Sequence, residues 1–162
     1  MDNFVVVIKG VSGSGKSSRT FQLLKFFEFV GLDIQEFKYV NKENKEKVVG
    51  LIINDLSLIF IGKTYFTNNI ERWQGYDVMT GYFLKSEYFS EFLRDNSDKY
   101  SFIIEGAGVT GTNRLRPLFL NQFCGYKNIL IQYYNYNQDQ KEQYLDRIIN
   151  RSGKIPGKGT MW

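Results

Sequence analysis

Residues 4–8, Phe-Val-Val-Val-Ile, form a continuous apolar and mostly β-branched run, which predicts a strand buried on both faces of a parallel sheet. A glycine-rich segment covers residues 10–15. From 16 to 30, Leu23, Leu24, Phe27 and Val30 then recur at helical spacing, and Gly31 closes that helix. Residues 34–40 alternate well enough for a second strand. Two further apolar runs, 48–53 and 58–61, flank Asn54 and Asp55 and predict a β-hairpin, followed by an irregular aromatic stretch over 65–83.

The later chain predicts a helix over 86–95, a third buried strand over 102–104 running into Glu105-Gly106-Ala107-Gly108, and a helix near 115–123. Pro117 is tolerated only in a first turn, so that helix starts near Arg116. A fourth strand is expected over 128–133, and a last helix over 137–151 with Asn137 as N-cap and Gly153 beyond its end. Strands alternating with helices imply an α/β domain whose ligand site lies at the carboxyl ends of the strands. By that rule Glu43 and Glu105 follow the site ends of their strands. Asp33 lies at the wrong end and is set aside as a surface residue.

Composition narrows the chemistry. At 162 residues, 43% hydrophobic and 17% aromatic, the chain has the material for one folded domain, 1–162, and not for a second. It contains no histidine, which excludes imidazole bases, Ser-His-Asp triads and His-ligated zinc, and leaves acid–base work to Asp, Glu, Lys or Tyr. The single cysteine, Cys124, cannot form an internal disulfide. No leader-like segment precedes the first strand, and no apolar run is long enough to cross a bilayer, so a cytoplasmic protein that does not enter membranes is expected. A net charge of +4 favours polyanionic partners only weakly.

One motif carries most of the functional information. Gly10-Val11-Ser12-Gly13-Ser14-Gly15-Lys16-Ser17 matches G-x-x-x-x-G-K-[ST] in full, with a strand before it and a helix after it. Glycines let the backbone curl around a phosphate so that successive N–H groups, including that of Ser18, point inward. Lys16 adds a cation near the β- and γ-phosphates, and Ser17 supplies a hydroxyl for Mg²⁺. The start of the helix adds its N-terminal dipole. The alternative is a flexible Gly/Ser turn between strand and helix.

On Gly10, Gly13, Gly15, Lys16 and Ser17 the chain resembles the P-loop kinases of the nucleotide and nucleoside kinase group. The resemblance implies a P-loop NTPase-type three-layer α/β/α fold with a mainly parallel sheet and an inserted β-hairpin. It also implies ATP and Mg²⁺ as co-substrate and cofactor. Glu105, at the end of its strand, then becomes a Mg²⁺ ligand or the base for the acceptor hydroxyl, the alternative being a solvated strand-end carboxylate. Arg147 and Arg151 are four residues apart on the last helix, and Arg151 opens the segment Arg-Ser-Gly-Lys-Ile-Pro-Gly-Lys-Gly. Residues 147–160, with Lys154 and Lys158, look like a nucleotide-kinase lid; a cationic helix end complementing its dipole is the competing reading.

Residues 44–85 stand where such kinases insert acceptor-binding elements. There Arg72, Trp73, Gln74, Tyr76 and Asp77 are substrate candidates: the rings for stacking on a base, Gln74 for a base edge, Asp77 for a hydroxyl. An aromatic mini-core is the alternative for this segment. Arg114 and Arg116 are further phosphate candidates. The long insertion, the Arg-Ser-Gly-Lys ending and the closing Gly159-Thr160-Met161-Trp162 resemble the bacteriophage P-loop kinases that phosphorylate 5-hydroxymethyluracil within DNA. This resemblance implies a modified DNA base as acceptor and a host-cytoplasmic setting. Free nucleosides and nucleoside monophosphates are the alternative acceptors. The group has a further strand after the lid, so either the sheet is shortened to four parallel strands or the sequence is truncated.

Two other classes compete. Asn41-Lys42-Glu43-Asn44 approximates a guanine-reading N-K-x-D, but it ends in Asn and comes too early in the chain for a GTPase. A non-catalytic nucleic-acid-binding module would account for the charge and aromatics while leaving the phosphate loop without purpose.

Overall fold

The computed structural model describes residues 2–11, 13–41, 43–67, 69–79, 81–83, 86–106, 115–134, 139, 142–143, 146–147 and 149. In chain order the elements are β1 (Phe4–Gly10), α1 (Lys16–Phe29), β2 (Ile34–Val40), β3 (Glu46–Ile53), β4 (Leu58–Ile61), β5 (Lys63–Thr67), β6 (Ile70–Gln74), α2 (Ser86–Asp95), β7 (Ser101–Glu105), α3 (Pro117–Gln122) and β8 (Asn128–Tyr134). Among the described residues six strands form one sheet in the order β2-β3-β4-β7-β1-β8, and β5 and β6 form a separate antiparallel ribbon.

The four strands β4, β7, β1 and β8 run parallel, with Ile59 opposite Phe102, Val5 opposite Phe102, and Val5 opposite Ile129. β4 and β7 are buried at every position, as expected of strands covered on both faces. Alternation sorts their side chains between two cores. Val5, Val7, Ile59, Ile61, Phe102 and Ile104 meet Phe89, Phe92 and Leu93 of α2 and Leu120 of α3. Ile8, Leu58, Phe60 and Ile103 meet Leu24 of α1 and Trp73 of β6 on the other face. The result is an α/β architecture of three layers, with α2 and α3 on one side and α1 with the ribbon on the other.

The hairpin expected as an insertion is part of the main sheet. β3 pairs antiparallel with both β2 and β4, and β4 occupies the place beside β7. The reason is the composition of Leu-Ile-Phe-Ile in β4, apolar toward both faces, which an appended hairpin could not bury. β2 is consequently an edge strand, separated from β1 by three strands. Glu43, paired with Lys45 at 2.8 Å in the turn after β2, is therefore remote from the glycine loop. The separate two-stranded unit is β5–β6, in the stretch read from sequence as irregular.

α1 is preceded by Gly15, whose φ of 91° only glycine adopts readily. It ends in a Schellman turn, with Leu32 N–H donating to the Phe27 carbonyl and Gly31 N–H to that of Glu28. α3 starts with Pro117 in its first turn after Arg116, as predicted. Of the expected helix over 137–151, residues 142–143, 146–147 and 149 are described and helical. Among the described residues no helix is long and apolar enough to cross a membrane.

Candidate active site

The parallel ladder aligns the carboxyl ends of β1 and β7. Ile8 sits opposite Glu105, so the loop that leaves β1 two residues later rises beside the end of β7. Gly10, Gly13 and Gly15 all have positive φ, at 142°, 80° and 91°. At Gly10 a side chain would also strike Tyr134, its Cβ lying 2.6 Å from that residue's carbonyl oxygen. The loop is further held by Ser14, whose hydroxyl donates to the Val11 carbonyl at 2.8 Å. Lys16 is buried, and its Nζ donates to the same carbonyl at 2.7 Å and to Ser14 Oγ at 3.4 Å. Ser17 and Ser18 lie in the first turn of α1, where backbone N–H groups have no intrahelical acceptor.

Glu105 closes the site from the other side. Its carboxylate, 3% exposed, accepts a hydrogen bond from Ser17 Oγ at 2.9 Å, a contact across 88 residues of sequence. Gly75 packs directly on it, since a Cβ at 75 would collide with the Glu105 carbonyl and lie 2.8 Å from Oε2. Asp77 lies over the next residue, its Oδ1 2.9 Å from where a Gly106 Cβ would stand. The segment after β6 is thereby laid across the carboxyl end of β7, next to the glycine loop.

Within that segment the side chains divide. Trp73 is 2% exposed, its ring edge-on to Phe60 at 6.4 Å between centroids. Tyr76 is buried against Phe89 at 4.5 Å, and burial raises its phenol pKa, with the Asp77 charge adding to the effect. Both rings belong to the cores in this structure, and neither offers a face to solvent. Arg72 and Gln74 are partly exposed on the opposite side of β6, across from Tyr65 and Lys63, and Asp77 is exposed. Trp73 instead shares its side with Glu71, which pairs with Lys25 of α1 at 2.8 Å. Arg147 reaches the glycine loop, with Nη1 3.4 Å from the Gly13 carbonyl. Ser12, Arg114, Arg151, Lys154 and Lys158 lie outside the described residues.

Two residues at this end escaped the sequence reading. Gly75 is conspicuous only once Glu105 is seen beneath it. Lys9 left a signal, a lysine closing an apolar strand run, and the structure buries it to 5% exposure.

The donor set suits a hard cation and a polyphosphate. The Ser17 hydroxyl and the Glu105 carboxylate converge, and among the described residues there is no group of three or more Asp, Glu, Cys or His side chains that would enclose a metal by itself. Two protein oxygens, with the remaining positions left to water and phosphate, is the pattern Mg²⁺ favours.

The family profile described as 5-hmdU DNA kinase 2 matches residues 1–162. The chain is also similar to the 5-hmdU DNA kinase 2 of Salmonella phage ViI, 26% identical over 156 residues. The matched stretch is 94% of this chain and 50% of that relative, so the chain spans about half the length of the curated relative it matches. No solved structure matches the chain.

Proposed function

The chain belongs to the 5-hmdU DNA kinase 2 family, and on that premise we propose that it transfers the γ-phosphoryl group of ATP to the 5-hydroxymethyl group of a modified pyrimidine in DNA. The observation that carries the reading is the Ser17–Glu105 hydrogen bond, which joins the loop that takes the phosphates to the strand end where an acceptor approaches. In this reading the three-layer sheet is a P-loop NTPase-type fold, with residues 10–18 as the phosphate cradle and Lys16 at the transferring group. Arg147, beside Gly13, neutralises charge on the nucleotide side, together with Arg151 in the lid-like segment 147–160.

Ser17 and Glu105 would hold Mg²⁺. When bound, the ion offsets phosphate charge and orients the γ-phosphoryl group. With Glu105 engaged there, Asp77 is the carboxylate on the acceptor side. The acceptor oxygen bonds to the γ-phosphorus as the bond to the β,γ-bridging oxygen breaks, and the hydroxyl proton passes to Asp77. Gln74 and Arg72, on the open side of β6, meet the acceptor; Trp73 and Tyr76 hold that wall in place by packing.

The test is γ-labelled ATP offered with DNA carrying 5-hydroxymethyluracil, with unmodified DNA, and with the free nucleoside and its monophosphate. Label in the modified DNA alone is expected. Label in the free nucleoside or monophosphate alone would make the chain a small-molecule kinase. DNA binding without any transfer would make it a nucleotide-dependent binding module.

A further inference from the structure

Lys9, the last residue before the glycine loop, is 5% exposed and yet has no hydrogen-bond or ion-pair partner among the described residues. Strand alternation places it with Val5 and Val7, on the face of the sheet covered by α2 and α3, opposite to Ile8 and α1. Directly across the β1–β8 ladder is Tyr133, an exposed residue whose ring centroid lies 6.0 Å from Lys9 Nζ. A charged neighbour is a second cation, Arg116, exposed at the start of α3 and likewise without a carboxylate partner among the described residues. Burial first, and then the Arg116 charge, pull the Lys9 pKa below its ordinary value. Two neighbouring cations, one of them on a side chain that is largely buried, repel each other, and an anion between them would complete the group.

The position says which anion. The loop at residues 10–15 leads to α1 on the other face, so ATP phosphates bound there lie on the far side of β1 from Lys9. On its own face, Lys9 comes level with Gly106, the residue just past the end of β7, one step beyond the Ile8–Glu105 pair, and Gly106 is where the Asp77 carboxylate rests. The cation pair therefore flanks the acceptor wall.

We propose that Lys9 and Arg116 form a second anion subsite, which holds a backbone phosphate of the acceptor DNA strand beside the target nucleotide. This rests on the reading of the chain as a kinase of DNA. An aromatic ring beside the pair, Tyr133, gives the adjoining sugar or base a surface to lie on. The subsite would fix the strand's register without reading its sequence, as phosphate contacts do.

The test uses the whole chain and a fluorescent single strand with one 5-hydroxymethyluracil, in which each backbone phosphate near the target is replaced in turn by a neutral methylphosphonate. Binding is followed by anisotropy over a salt series, without turnover. The wild type should lose affinity by about tenfold at one linkage, the loss of roughly one charge-assisted contact. Lys9→Met and Arg116→Gln should each weaken binding of the same strand with an all-phosphate backbone by a similar factor. Each should lower the slope of log affinity against log salt by about 0.7, the value for one single-strand phosphate contact. Neither should lose further affinity at the sensitive linkage, and ATP affinity should hold. Arg116→Gln changes an exposed side chain and keeps the test decisive if Lys9→Met fails to fold.

The proposal is overturned if the wild type tolerates every neutral linkage, or if the variants keep its linkage profile and salt slope. A loss of ATP affinity with unchanged strand binding also overturns it, by assigning the pair to the nucleotide. Phosphate transfer, measured separately, tells the two readings apart. Transfer with an unchanged linkage profile in the variants sinks the subsite alone, whereas a collapsed profile without transfer sinks the kinase reading alone.

Discussion

The two sides of the site are built by opposite means. The proposed nucleotide side is a run of eight consecutive residues, Gly10 to Ser17, whose shape follows from three glycines at positive φ and a helix that starts where the loop ends. The proposed acceptor side is assembled from distant pieces packed around Glu105 of β7: Gly75 and Asp77 from the end of the β5–β6 ribbon, and Lys9 from β1. The first depends on local backbone conformation, so it tolerates changes elsewhere. The second depends on packing, so its geometry is only as secure as the core beneath it. A site with one local and one global half should break in two different ways.

The largest effect is expected at Trp73, which anchors the proposed acceptor side to the core. Trp73→Ala should cost about 3–5 kcal/mol of stability, the usual range for a buried aromatic, seen as a lower urea midpoint. If the variant unfolds at the wild-type midpoint and instead loses acceptor affinity, the ring meets the substrate and the proposed division of labour is wrong.

Lys16→Ala should do the reverse. Turnover should fall by about 10²–10³-fold, the scale of one lost electrostatic contact to the transition state, with the urea midpoint nearly unchanged. Comparable turnover in a folded variant would remove Lys16 from the chemistry.

Asp77→Asn separates chemistry from packing within the acceptor half, because the carboxylate is exposed and the change is nearly isosteric. We expect turnover about 10²-fold lower, with ATP affinity and stability retained. A drop in stability alone would reduce Asp77 to a contact that seats the segment on Gly106.

The smallest effect concerns the core far from both halves. Cys124 is 1% exposed, and burial pushes its thiol up to about 11 from an ordinary 9.0, the Arg94 charge partly opposing this. Tyr126, whose hydroxyl donates to the Tyr100 carbonyl at 3.2 Å, is shifted upward too, mainly by burial. Both groups keep their protons in the folded chain at a pH where the unfolded chain loses them. Stability is therefore full below about pH 9 and declines toward pH 11, by about 2 kcal/mol for the thiol alone. Cys124→Ala should remove that part of the decline in urea midpoints measured from pH 8 to 11, and an unchanged decline would assign it elsewhere.

What was determined by the sequence alone is what depends on neighbours along the chain. The loop's residue types dictate its own curvature, apolar runs and periodicity dictate β1, α1, α2, β7 and β8, and Pro117 dictates the start of α3. Tertiary structure alone decided everything that depends on strand order. Two runs flanking Asn54 and Asp55 form a hairpin by local rules, but only the competition to bury both faces of Leu-Ile-Phe-Ile placed β4 beside β7 and moved β2 to the edge. The β5–β6 ribbon was illegible because its aromatic residues follow no clean alternation, one side packing on α1 and the core and the other lying partly open. Trp73 and Tyr76 read equally well as platforms for a base or as core, since an aromatic side chain serves both. Their direction is set by what lies opposite them, Phe60 and Phe89, which no spacing in the chain discloses. The same holds for Lys9, whose chemistry comes from the strand pairing that brings Tyr133 to its side.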